Sequence, residues 1–118
     1  MSKLYFGETK RYHKGDVIAK EGDEGCEAFR IIKGRVAVRS SRRVRPVVLT
    51  DGDIMGEMAL VDQSPRSATL TAMDEVEVEI ITMTDFHSML NPCHPMLRAV
   101  VKGLVKRLRA AEKDASGT

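Results

Sequence analysis

From residue 4 to about residue 81 the chain is punctuated by glycine and aspartate, at Gly15-Asp16, Gly22-Asp23, Gly25, Gly34 and Asp51-Gly52-Asp53. Between these marks lie short runs rich in β-branched residues. Val36 and Val38 alternate with Arg35 and Arg39, and Val76, Val78 and Ile80 alternate with Glu75, Glu77 and Glu79. A period of two places the apolar set on one face of each strand. Short strands with frequent turn signals favour an all-β sandwich or barrel over repeated βαβ units. The glycines at 15, 22, 25 and 34 read as turn requirements.

The period changes after residue 83. Thr84 is the expected N-cap of a short helix over about 85–90, which Asn91-Pro92-Cys93-His94-Pro95 ends. Pro95 suits the first position of a second helix over about 95–113. There Leu97, Val100, Val101, Leu104, Val105 and Leu108 recur at helical spacing, an apolar stripe expected to be mostly core packing. Arg98, Lys102, Lys106, Arg109 and Lys113 take the other side, and the tail from Asp114 to Thr118 is expected to fray. The fold class is therefore mainly β with C-terminal helices. One domain over 1–118 is expected, a jelly-roll-like β-roll (about 4–82) followed by the two helices.

With 118 residues, 42% of them hydrophobic, there is material for one core. No run approaches the roughly 18 apolar residues of a membrane span. The start, MSKLYFGETKRYHK, lacks a secretory apolar stretch, so a cytoplasmic address is expected. Cys26 and Cys93 are then free thiols. A net charge of +2 does not imply a nucleic-acid partner, and Arg39, Arg42, Arg43 and Arg45 read as a solvated hairpin tip. His13, His87 and His94 complete no metal-ligand set, and no nucleophile–base pair is suggested, so no enzyme is expected.

One interruption of the β pattern stands out. Gly56-Glu57-Met58-Ala59-Leu60-Val61 reads as a single helical turn, followed by the turn cluster Asp62-Gln63-Ser64-Pro65 and then by strand-like Arg66-Ser67-Ala68-Thr69-Leu70. The N-terminus of a helical turn presents N–H groups to an anion, and Arg66 adds a planar fork matched to phosphate oxygens. The Ser67 hydroxyl and N–H reach the same place. Glu57 would repel a bare phosphate, but it makes sense as the acceptor for a hydroxyl on the same ligand. A phosphate beside a sugar hydroxyl is what a nucleotide offers.

The segment GEMALVDQSPRSATLTA, residues 56–72, resembles the phosphate-binding cassette of the cyclic-nucleotide-binding family. The likeness continues through KGDVIAKEGDEG and AFRIIKGRVAV and covers roughly residues 10–112. The resemblance implies a regulatory module for cAMP or cGMP with no cofactor. In it Glu57 binds the ribose hydroxyl, Arg66 the cyclic phosphate, and the backbone N–H groups of Ala59 and Ser67 the phosphate oxygens. Gly56 lets the backbone approach the sugar, and Met58 packs against a C-terminal helix that closes over the purine as a lid. Alignment on the lid puts Arg107, Leu108, Ala111 and Glu112 at the purine. The few residues after the lid hold no DNA-reading element, kinase or pore. The effector is thus expected to be a partner or a further domain, with no specific DNA binding by this chain. Two rivals are a degenerate roll serving only as a protein-interaction module and a cupin-like metal enzyme, another small β-roll.

Overall fold

The alternating segment at 75–82 becomes the strand that holds one sheet together. A computed structural model describes residues 7–116. Its strands are β1 Thr9–Tyr12, β2 Val17–Ala19, β3 Glu27–Lys33, β4 Val36–Arg39, β5 Val47–Leu49, β6 Ile54–Met55, β7 Thr69–Ala72 and β8 Val76–Thr82. The helices are α1 Met58–Asp62, α2 Met83–Leu90 and α3 Pro95–Ser116. One four-stranded antiparallel sheet has the order β1-β8-β3-β6, the other β2-β7-β4-β5. The β-roll is therefore formed, with the cassette helix α1 inserted between β6 and β7.

The inward faces supply the core: Phe29, Ile31, Val36, Met55, Leu70, Ala72, Val76 and Val78. Each fully buried side chain of this size stabilises the fold by about 1.5–3 kcal/mol through removal of apolar surface from water. The β3–β4 turn needs glycine, because Gly34 has φ +109° and a Cβ there would lie 2.6 Å from the Glu75 carbonyl oxygen. Glu79 departs from the strict alternation. It is 1% exposed, accepting from the Gly7 N–H at 2.9 Å and pairing with Arg30 on the neighbouring strand. A buried carboxylate is tolerable there because charged and backbone donors meet it.

Three helical expectations need correction. α2 is capped by Thr82, not Thr84: the Thr82 hydroxyl accepts from the Asp85 N–H at 3.1 Å, and the Asp85 carboxylate answers at the Thr82 N–H. This reciprocal box satisfies two donors at once, so the helix starts as soon as β8 ends. The backbone of α3 is helical as far as Ser116, beyond the end expected at about 113, and 117–118 lie outside the described residues. The apolar stripe of α3 is not core. Leu97, Val100, Leu104 and Leu108 are each about half exposed, and only Val105 is buried. The two sheets close most of the core by themselves, and the main packing of α3 on another element is against α1.

Candidate functional site

Arg66 leaves the α1–β7 connection and turns inward. Its residue is only 9% exposed, with the guanidinium carbon 5.5 Å from the centre of the Phe29 ring. Nη1 donates to the Gly56 carbonyl at 3.3 Å. The main chain on either side is pinned by Arg66 N–H to the Asp23 carbonyl and Gly22 N–H to the Arg66 carbonyl, both at 2.9 Å. Burial pushes the guanidinium pKa down, and the neighbouring Glu27 carboxylate works against that shift.

Two glycines make the space for this side chain. Gly56 sits at φ +75°, and a Cβ there would lie 2.6 Å from Arg66 Nη1. At Gly25 a Cβ would come within 2.3 Å of Nε and 2.5 Å of the guanidinium carbon. Gly25 is therefore a close-approach glycine rather than the turn requirement expected of it. Gly15, Gly22 and Gly34 do have the positive φ of turn glycines.

Glu57 opens α1 from an αR conformation and makes no side-chain cap. Among the described residues no ion pair joins it to Arg66. Both side chains instead line one cavity of about 260 Å³. Gly56, Met58, Ala59 and Ser67 line it as well, so all six cassette residues expected at the site are brought together. The floor is apolar (Val38, Leu49, Met55 and Leu70), and Arg43 and Ser40 of the β4–β5 hairpin form another wall. Arg43 is exposed, as expected of a solvated hairpin tip, and also borders the cavity. A cavity with an arginine fork and a carboxylate on one side and an apolar floor suits a ligand that is anionic, hydroxylated and flat.

The lid side differs from the expected set. Of Arg107, Leu108, Ala111 and Glu112, only Glu112 reaches the cavity, joined there by Arg109. Arg107 and Ala111 are exposed and Leu108 is 52% exposed. At 3.6 residues per turn, Val105, Arg109 and Glu112 share one face, and Arg107 falls roughly opposite. Arg109 grips Asp62 at the end of α1, with Nε to Oδ2 at 2.6 Å and Nη2 to Oδ1 at 3.0 Å. Arg109 holds the Asp62 carboxyl below the usual carboxylate range, and Asp62 in turn raises the guanidinium. The pair carries no local motif, and Gly25, within the segment KGDVIAKEGDEG, reads from sequence as a turn glycine rather than as a neighbour of Arg66.

The histidines are dispersed. His13 pairs with Glu75, His87 lies within α2, and His94 caps α3 by accepting from the Met96 N–H at 3.0 Å. Among the described residues no closely spaced set of the kind a cupin-like centre requires is found. Cys26 and Cys93 are both free thiols. No helix among the described residues is long and apolar enough to cross a membrane.

Comparison with known proteins settles the class. The sequence profile described as "Cyclic nucleotide-binding domain" matches residues 9–92, and the chain belongs to that family. It is 37% identical over 90 residues to the cAMP-dependent protein kinase regulatory subunit of Candida albicans, covering 76% of this chain and 20% of that protein. Among solved structures it is similar to the EAL enzyme Bd1971. The cAMP-bound form has TM-score 0.77 and 34% identity, covering 88% of this chain and 29% of that one. The cGMP-bound form has TM-score 0.79 and 32% identity, covering 92% and 30%. The chain thus spans less than a third of the length of these relatives.

Proposed function

We propose that the chain is a regulatory module that takes a cyclic purine nucleotide, cAMP or cGMP, into the cavity beneath α1 and passes the occupancy on through α3. The observation that carries this reading is the state of Arg66. A buried guanidinium cradled by two glycines, with one long hydrogen bond to a carbonyl, has donors left over for a phosphate. Glu57 on the same wall has no ion-pair partner among the described residues and suits a ribose hydroxyl. The relatives named as cAMP-dependent or as cAMP- and cGMP-bound support the ligand class without choosing the purine. The backbone N–H groups of Ala59 and Ser67 complete the phosphate subsite, and α3 covers the base from the side of Glu112. The effector is a partner protein or further domain, and the chain itself performs no chemistry at a cytoplasmic site of action.

Calorimetric titration with cAMP and cGMP tests the reading, with Arg66→Ala as the decisive variant. Removing one side of a desolvated, hydrogen-bonded charge pair costs about 2–5 kcal/mol. The expected loss of affinity is therefore roughly 30-fold to several thousand-fold at 1.4 kcal/mol per tenfold. Arg66→Lys restores only part, because an ammonium lacks the two-pronged geometry. A parent protein that binds neither nucleotide would show a roll used only for protein contacts. A variant that melts much lower yet binds like the parent would make Arg66 purely structural.

A further inference from the structure

α3 is held to the roll by little. Its outward residues Leu97, Val100, Leu104 and Leu108 are about half exposed, and among the described residues Val105 is its one buried large apolar side chain. Its first turn is tied down by Arg98, whose Nη1 donates to the carbonyls of Asn91 and Cys93, both at 2.9 Å. Further along, the polar link between α3 and the cassette is the two-pronged contact of Arg109 with Asp62. The two side chains are 20% and 24% exposed, so solvent screens them only in part. Asp62 is presented rigidly, since it also accepts from the Ser64 N–H at 3.1 Å. Glu112, a turn beyond, lies 3.6 Å from Arg109 Nη1, close enough for ionic attraction but not for a hydrogen bond.

We infer that Asp62 and Arg109 form a latch that holds α3 over the cavity, so that nucleotide affinity is set partly by a pair that need not touch the nucleotide. The inference rests on the cyclic-nucleotide reading for its effect on affinity, but not for its effect on the helix. Asp62 closes the same five-residue helix that Glu57 opens. A displacement of α1 at the ligand is therefore delivered directly to the latch. If the lid exchanges between docked and undocked positions, the apparent affinity scales with the docked fraction. The pair contributes to that fraction before any ligand arrives. Arg109 also lines the cavity, so direct contact with ligand is the rival role and must be separated from the latch. Both residues are positioning residues in this account.

The test is a double-mutant cycle of Asp62→Asn, Arg109→Gln and the two together, with Lys106→Gln as a control that removes a cation from α3 without touching Asp62. Hydrogen exchange of the amides at 103–112 is measured on the ligand-free proteins, and titration with cAMP and cGMP follows. Site couplings commonly run about 5–150-fold, and a partly exposed pair belongs at the low end, so each single variant should weaken binding roughly 3–20-fold. Each should also speed exchange in α3. The double variant should be no worse than either single one, and the control should match the parent. Unchanged exchange in Asp62→Asn overturns the latch. So does a loss of affinity confined to Arg109→Gln, which would assign Arg109 to the ligand. Should the parent bind neither nucleotide, the functional reading fails while the exchange data still decide the latch.

Discussion

Arg66 shows how a charged residue is made available by what is absent around it. The motif from Gly56 to Ser67 was legible in the sequence because all its members lie in one segment, and the structure gathers them around one cavity. Gly25 was not legible as part of the site. Its role comes from a loop some forty positions earlier crossing the guanidinium, an approach that the local glycine-rich turn pattern does not reveal. The two kinds of glycine should separate experimentally. Gly25→Ala puts a methyl group where Arg66 now lies, and Arg66 must move. With the guanidinium displaced, part of a charge pairing worth about 2–5 kcal/mol is lost, so affinity for cAMP or cGMP should fall at least about tenfold. Melting should change little, since Gly25 does not have a positive φ. Gly15→Ala should behave in the opposite way, with φ +91° and open space around it. It should lower the melting temperature by the equivalent of about 1 kcal/mol and leave binding intact. Equal affinity in Gly25→Ala and parent would remove that glycine from the site.

At the scale of elements, the period-two segments do form strands, but the alternation is broken where Ala37 and Glu79 are buried beside Val36 and Val78. The helices were read less well. Two threonines stand near the start of α2, and the choice between them depends on where β8 stops pairing, which is a tertiary fact. Thr82→Ala should cost about 1 kcal/mol, the usual value of a lost N-cap. Thr84→Ala, which removes no cap, should be close to neutral. Thermal melting of the two variants checks this, and a larger loss at Thr84 would contradict the capping box. α3 misled for a different reason. An apolar stripe at helical spacing normally marks the buried face, but here the roll is already closed and the contact face is rotated toward Val105 and Arg109. The same rotation explains why Glu112, of the four lid residues expected at the purine, is the one that lines the cavity.

For the whole molecule, ligand and fold are linked. A nucleotide that binds only the folded roll adds about 2.7 kcal/mol of stability at a concentration of 100 times its Kd. For a domain of this size that corresponds to a rise in melting temperature on the order of 10 °C. Scanning calorimetry with saturating cAMP or cGMP should show it in the parent and lose most of it in Arg66→Ala. An unshifted parent would argue against specific binding. The pairing pattern carries one more consequence, for the order in which the protein becomes functional. β1 and β3 both pair with β8, so Thr9 waits for Glu79 and Glu27 for Thr82. β2 and β4 likewise wait for β7. A chain growing from its N-terminus therefore cannot finish either sheet until nearly all of the roll has been made. Such distant pairings are slow to form, because chain entropy is lost before contacts repay it. The cavity has walls from the hairpin, the cassette and both sheets, so it appears only at the last step. Competence to bind nucleotide is then a time stamp for completed folding, and a fluorescent cyclic nucleotide present during refolding would light up with the slowest phase.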